Sequence, residues 1–145
     1  ERVGGLCKRE RLSMARRSRS GEYRSETQVC LGDTMGELPA LLGSADVAFI
    51  GGSLVMTGGH NMLEASAQGV AVCFGPHVFN FTAISQLLIE EGAARQVGSE
   101  AELADQVIAW FEDASARAEV GENGRRVVEQ NRGALQRLID LIPLR

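Results

Sequence analysis

The chain has 145 residues, 44% hydrophobic and 23% charged, which at roughly 100–200 residues per domain reads as one domain spanning 1–145. Within it there is no run of eighteen apolar residues and no charged stretch followed by an apolar one, so neither a membrane-spanning helix nor a secretory signal is read, and a disordered chain is excluded. The net charge of −4 is unevenly spread: residues 1–26 hold eight Lys/Arg against four Glu, and the remainder holds seven Arg against fifteen acids.

An opening helix is read over about residues 2–10, then a short strand at Leu12–Ala15 and a polar loop over Arg16–Glu26. Thr27–Leu31 is β-prone and ends at Gly32-Asp33. Glu37–Leu42 is helical and closes at Gly43. Asp46–Ile50 is apolar after one acid and ends at Gly51-Gly52, the look of a buried parallel strand. Asn61–Gln68 is a helix, Val70–Phe74 a second buried strand, Thr82–Glu91 a helix and Ala94–Val97 a third short strand. Apolar residues recur at helical spacing through Ser99–Asp113, with Ser99 and Glu102 as a capping box. Ala114–Gln130 and Gly133–Ile142 add two more helices. Strands alternating with helices define an α/β domain, a Rossmann-like doubly wound parallel sheet with helices on both faces and a helical C-terminal tail.

The chain begins Glu-Arg-Val, and the expectation is a piece of a longer protein whose upstream strand is cut away. Cys7, Cys30 and Cys73 are an odd, widely spaced set without a CxxC pair, which speaks against a disulfide framework or a structural zinc site and for a reducing compartment. Cys30 and Cys73 lie in apolar runs and read as buried. The stretch Lys8–Arg24 has the charge to meet phosphate, nucleic acid or anionic lipid. Interrupted by Ser and Glu and without an aromatic platform on which bases could stack, it reads more simply as a solvated surface.

In a doubly wound sheet ligands bind beyond the carboxyl ends of the strands. Three glycine-bearing loops fall there: Gly32–Leu38, Gly51–Glu64 and Gly75–Phe81. Paired glycines let backbone amides approach an anion, and a helix starting after Gly58-Gly59 would aim its N–H groups at the same point. Thr34-x-x-Glu37 and Asn61-x-x-Glu64 also read as capping boxes whose whole purpose is to start helices. His60 is placed to meet a phosphate or to brace its loop, and His77 lies close enough to line the same crevice. No HxH, HExxH, DxD, GxSxG or GxxxxGK[ST] pattern occurs, so no metal site, nucleophile elbow or P-loop is read.

The run Gly32-Asp33-Thr34-Met35-Gly36-Glu37-Leu38, the run Ala45–Val55, Gly58-Gly59-His60-Asn61 with Leu63-Glu64, Gly75-Pro76-His77 with Asn80-Phe81, and Asn131-Arg132-Gly133-Ala134-Leu135 together resemble the C-terminal half of the 3-deoxy-D-manno-octulosonic acid (Kdo) transferases. The resemblance implies a GT-B glycosyltransferase of lipopolysaccharide synthesis, at the cytoplasmic face of the bacterial inner membrane. Such an enzyme moves Kdo from CMP-Kdo to a lipid A precursor with inversion, using neither metal nor cofactor. It implies that this part binds the donor, that an absent N-terminal domain binds the acceptor, supplies the catalytic base and makes the membrane contact, and that the fragment by itself is soluble and inactive. No nucleic-acid partner is implied. Carried over by motif, the nucleotide-sugar residues are Arg2, Met35, Gly36, Glu37, Ser53, Gly59, His60, Asn61 and Glu64; none is catalytic and none binds metal. Two other readings stay open from the residues: the donor half of a UDP-sugar transferase or epimerase, and a non-catalytic Rossmann-like interaction module.

Overall fold

The computed structural model describes residues 2–19 and 23–132. They fall into two compact units divided between Leu41 and Leu42.

The first unit contains α1 (Arg2–Arg9), β1 (Met14–Arg16) and β2 (Val29–Leu31). The strands pair in parallel, Met14 opposite Val29 and Arg16 opposite Leu31. Ala15 is fully buried and Cys7 nearly so. Cys30 is exposed, against the expectation from its apolar run. Side chains alternate along a strand, and here Val29 and Leu31 take the half-buried face. Cys30 therefore points the other way, where its sulfur lies 3.0 Å from the Tyr23 hydroxyl.

The helix α2 (Leu38–Gly43) contains the division between the units. The second unit continues with β3 (Val47–Ile50), α3 (Leu63–Ala67), β4 (Ala71–Phe74), a 3₁₀ turn (Phe79–Phe81), α4 (Thr82–Glu90), β5 (Ala94–Gln96), α5 (Glu100–Glu112) and α6 (Ala114–Asn131). Its three strands form a parallel sheet in the order β3-β4-β5. The central strand β4 is buried at every residue, which is why Val70–Phe74 reads as one unbroken apolar run. Helices cover both sheet faces. Ala48, Ile50, Val72 and Phe74 pack with Met62, Ala65, Leu88 and Val127. Val47, Ala71 and Cys73 pack with Leu103, Trp110 and Val120.

Local chemistry sets the helix ends. The Glu102 amide donates to the Ser99 hydroxyl oxygen at 3.2 Å, starting α5 as the sequence implies. The Glu102 carboxylate reaches one residue further back than a capping box requires and accepts the Gly98 amide at 2.7 Å. Asp113 caps α6 by accepting from the Ala116 amide at 2.9 Å. Two glycines inside α6 permit close packing: a Cβ on Gly121 would lie 2.0 Å from the Gly69 carbonyl oxygen, and one on Gly124 would lie 3.2 Å from the Ser66 Cβ. The expected helix at Gly133–Ile142 lies outside the described residues.

Candidate functional site

In the second unit, two loops leave the carboxyl ends of adjacent strands β3 and β4, and Ser53 ties them together. Its side chain is completely buried. The hydroxyl donates to the Ile50 carbonyl and accepts the Gly75 amide at 2.7 Å. The Ser53 carbonyl accepts the His77 amide at 2.9 Å. A Cβ on Gly75 would fall 2.3 Å from that same Ser53 carbonyl oxygen, so only glycine lets the strands' exits approach this closely. Ser53 is thus a positioning residue for both loops, its side chain completely buried and its one proton spent on Ile50.

The β3 loop then folds on itself. The Thr57 hydroxyl donates to the Gly52 carbonyl at 2.7 Å, and the Gly59 amide donates to the same carbonyl at 3.1 Å. Gly58 and Gly59 have φ of 92° and 71°, the left-handed region. A Cβ on Gly58 would meet the Asn80 side chain at 2.3 Å and the Phe79 ring at 2.8 Å. The second loop therefore lies against the first along this glycine pair.

Beyond Gly59 the loop opens to solvent, and His60, Asn61 and Glu64 are all exposed. Asn61 starts α3: its side-chain oxygen accepts the Leu63 amide at 3.1 Å while its NH₂ donates to Glu64 at 3.2 Å. The helix is five residues long, beginning at Leu63 with Met62 at its N-cap position and no side-chain cap there, so Asn61 is not the cap the sequence suggested; its side chain instead takes the helix's first amide. The bare helix end expected from the sequence is therefore absent, since α3 begins at Leu63 with its first amide already accepted. The Gly59 amide is used within the loop, whereas the His60 and Asn61 amides have no partner among the described residues.

The first unit holds the other assigned residues. Met35 is 96% exposed, and Gly36 has φ 79°. Glu37 accepts from Arg17 at 2.8 Å and from the Thr34 hydroxyl, and the Thr34 bond leads in holding its carboxyl below the usual range. Thr34 thus bonds the Glu37 carboxylate, not a helix amide as a capping box would. Asp33 accepts from the Ser18 hydroxyl at 2.7 Å and the Ser18 amide at 2.9 Å, and these bonds lower its pKa. Arg2 is exposed at the first position of α1.

Two features escape a sequence reading. Thr57 belongs to no motif yet closes the loop. A cavity of about 400 Å³ is lined by the Pro76–Phe79 segment together with Gln86 and Gln96; its signal is the polar trio Thr82, Ser85 and Gln86 on α4. Among the described residues no three His, Cys, Asp or Glu side chains converge as metal ligands would.

A parallel α/β unit with glycine loops latched at its strand ends is the architecture of nucleotide-binding domains. No family model matches the chain. A 3-deoxy-D-manno-octulosonic acid transferase of Haemophilus influenzae is 43% identical over 141 residues, 97% of this chain and 33% of that protein. One from Bordetella pertussis is 37% identical over 132 residues, 90% of this chain and 31% of that protein. The crystal structure of the C-terminal CMP-Kdo binding domain of WaaA from Acinetobacter baumannii matches with TM-score 0.82 and 32% identity, covering 90% of this chain and 67% of that domain. The chain belongs to the 3-deoxy-D-manno-octulosonic acid transferase family. It spans about a third of the length of the curated relatives it matches.

Proposed function

We propose that this chain is the donor-binding part of a glycosyltransferase that moves Kdo from CMP-Kdo to a lipid A precursor, with inversion and without a metal ion or other cofactor. The observation that carries the reading is the likeness, over 90% of the chain, to a domain described as binding CMP-Kdo. In the second unit the nucleotide's ribose meets the Glu64 carboxylate, which has acceptor capacity for two hydroxyls. Asn61 orients Glu64 and starts α3. Gly59 shapes the loop, and the exposed amides of His60 and Asn61 face the phosphate. Breaking the bond between sugar and phosphate leaves negative charge on CMP, and preorganised amides stabilise charge as it develops. Ser53 holds the loops in register. Arg2, Met35, Gly36 and Glu37 of the first unit are assigned to the nucleotide on the resemblance alone. The acceptor, the base and the contact with the inner membrane belong to the rest of the longer protein; among the described residues no helix is long and apolar enough to cross a membrane.

Titration with CMP, with UMP as control, tests this through backbone amide shifts. CMP is expected to move signals over Gly58–Glu64 and Met35–Glu37 well before UMP does. Equal response to both nucleotides transfers the reading to a UDP-sugar donor. No response to either, in this chain and in a longer one carrying the N-terminal part, overturns nucleotide binding.

A further inference from the structure

The helix α4 has two unlike faces. Ile84, Leu87 and Leu88 pack toward the core. Thr82, Ser85, Gln86 and Ile89, at the i, i+3, i+4, i+7 spacing of one helical face, line the cavity of about 400 Å³. Across from them stand Gln96, the last residue of β5, and the segment with His77 and Phe79.

No Asp, Glu, Lys or Arg lines this cavity, in a chain that is 23% charged. The Ser85 and Thr82 hydroxyls are used locally, donating to the Thr82 and Phe79 carbonyls. The side chains of Gln86, Gln96 and His77 have no partner among the described residues. Each glutamine amide offers two donors and an acceptor, the complement of adjacent hydroxyls. Phe79 is 61% exposed and adds an apolar ring beside them. The volume is that of a small-ligand pocket. Phe79 also abuts Gly58, so the cavity adjoins the loop assigned to the nucleotide.

We infer that this cavity is a polyol subsite: Gln86 and Gln96 hydrogen-bond the hydroxylated carbon chain of the donor's sugar while Phe79 covers its C–H surface. The inference rests on the donor reading above and adds the residues that recognise the sugar apart from the nucleotide.

Titrating the chain with free Kdo, to concentrations on the order of 10 mM, while recording the glutamine side-chain NH₂ signals, tests it. Kdo is expected to move the NH₂ signals of Gln86 and Gln96 and the amides of His77–Phe79. CMP is expected to move Gly58–Glu64 and leave those NH₂ signals in place. The double variant Gln86→Leu/Gln96→Leu, at two exposed positions, should weaken the Kdo response about tenfold or more with the CMP response unchanged. Kdo leaving both NH₂ signals unmoved overturns the inference, as does CMP moving them equally. N-acetylglucosamine moving them while Kdo does not also overturns it, in favour of a different sugar. A CMP response absent beside an intact Kdo response counts against the nucleotide assignment and not against this subsite.

Discussion

The Gly75 amide donates to the buried Ser53 hydroxyl at 2.7 Å across 22 residues of sequence, fastening the exit of one strand to the exit of its neighbour. Removing the hydroxyl in Ser53→Ala leaves the Gly75 N–H and the Ile50 carbonyl without it. A buried donor stranded this way costs about 1–3 kcal/mol, and at this chain length each kcal/mol lowers Tm by about 4 °C. The expected outcome is a lower Tm together with amide shift changes over both loops. Shift changes confined to Ser53 and its immediate neighbours would show that the latch does not hold the loops.

Gly121→Ala should reverse the usual sign of a glycine-to-alanine change within a helix. Helix propensity alone favours alanine by about 1 kcal/mol. Here the new Cβ would sit 2.0 Å from the Gly69 carbonyl oxygen, a backbone atom that cannot rotate aside. Overpacking of this kind costs about 1–3 kcal/mol, so Tm should fall. Gly124→Ala meets the Ser66 Cβ at 3.2 Å and its Cα and Oγ at 3.4 Å, and should cost less. A stabilised Gly121→Ala would show that α6 is free to back away from the turn at Gly69.

These two relationships show what a sequence reading reaches. Val70–Phe74 was legible as a strand because a strand buried on both faces leaves a continuous apolar run. Cys30 is exposed despite its apolar run because such a run does not say which face each residue takes, and β2 turns its sulfur toward Tyr23. Asn61 and Glu64 were legible as a pair from their spacing. The five-residue length of α3 was not, and it moves the helix start from Asn61 to Leu63. The role of Ser53 could not be read at all, because its partners Gly75 and His77 lie more than twenty positions away and no local pattern marks them. The motifs found the loops; the long-range hydrogen bonds decided which of their residues face inward.

Thiol reactivity should separate the cysteines. Cys73 is fully buried in β4, and burial pushes its thiol up to about 11. At pH 8 only roughly one such thiol in a thousand is the reactive thiolate. Cys30 is exposed. Iodoacetamide at pH 8 should label Cys30 first and leave Cys73 unmodified until denaturant is added, as mass spectrometry of peptides would show. Parallel labelling of the two in the native protein would contradict the burial of β4.

Acid should weaken the first unit. Asp33 and Glu37 both have pKa values held below the ordinary range, chiefly by the Ser18 and Thr34 hydroxyls respectively. A carboxylate with a depressed folded pKa adds stability that is complete above its unfolded value, about 4. That stability is lost as pH falls through the folded value. Ring signals of Tyr23, the single tyrosine, report on this unit, and their unfolding midpoint in denaturant should drop as pH falls below about 4. Ser18→Ala and Thr34→Ala should flatten that dependence. An unchanged slope in both variants would remove these hydroxyls as its cause.

Asn61 and Glu64 are hydrogen-bonded to each other, so their roles in nucleotide binding and in starting α3 must be pulled apart. Glu64 is exposed, and Glu64→Ala should leave Tm nearly unchanged while weakening CMP binding. Hydrogen bonds to a charged group are worth about 1.5–3 kcal/mol, so the loss should be on the order of tenfold to a hundredfold. Asn61→Ala removes the oxygen that accepts the Leu63 amide and should lower both Tm and affinity, a hydrogen bond of this kind being worth about 0.5–1.5 kcal/mol. Asn61→Asp keeps that accepting oxygen but replaces the amide donor to Glu64 with a like charge. It should keep Tm close to that of the parent and still weaken CMP. If Asn61→Asp binds CMP as the parent does, the orientation of Glu64 by Asn61 plays no part in binding, and Asn61 serves only to hold the Leu63 amide at the start of α3.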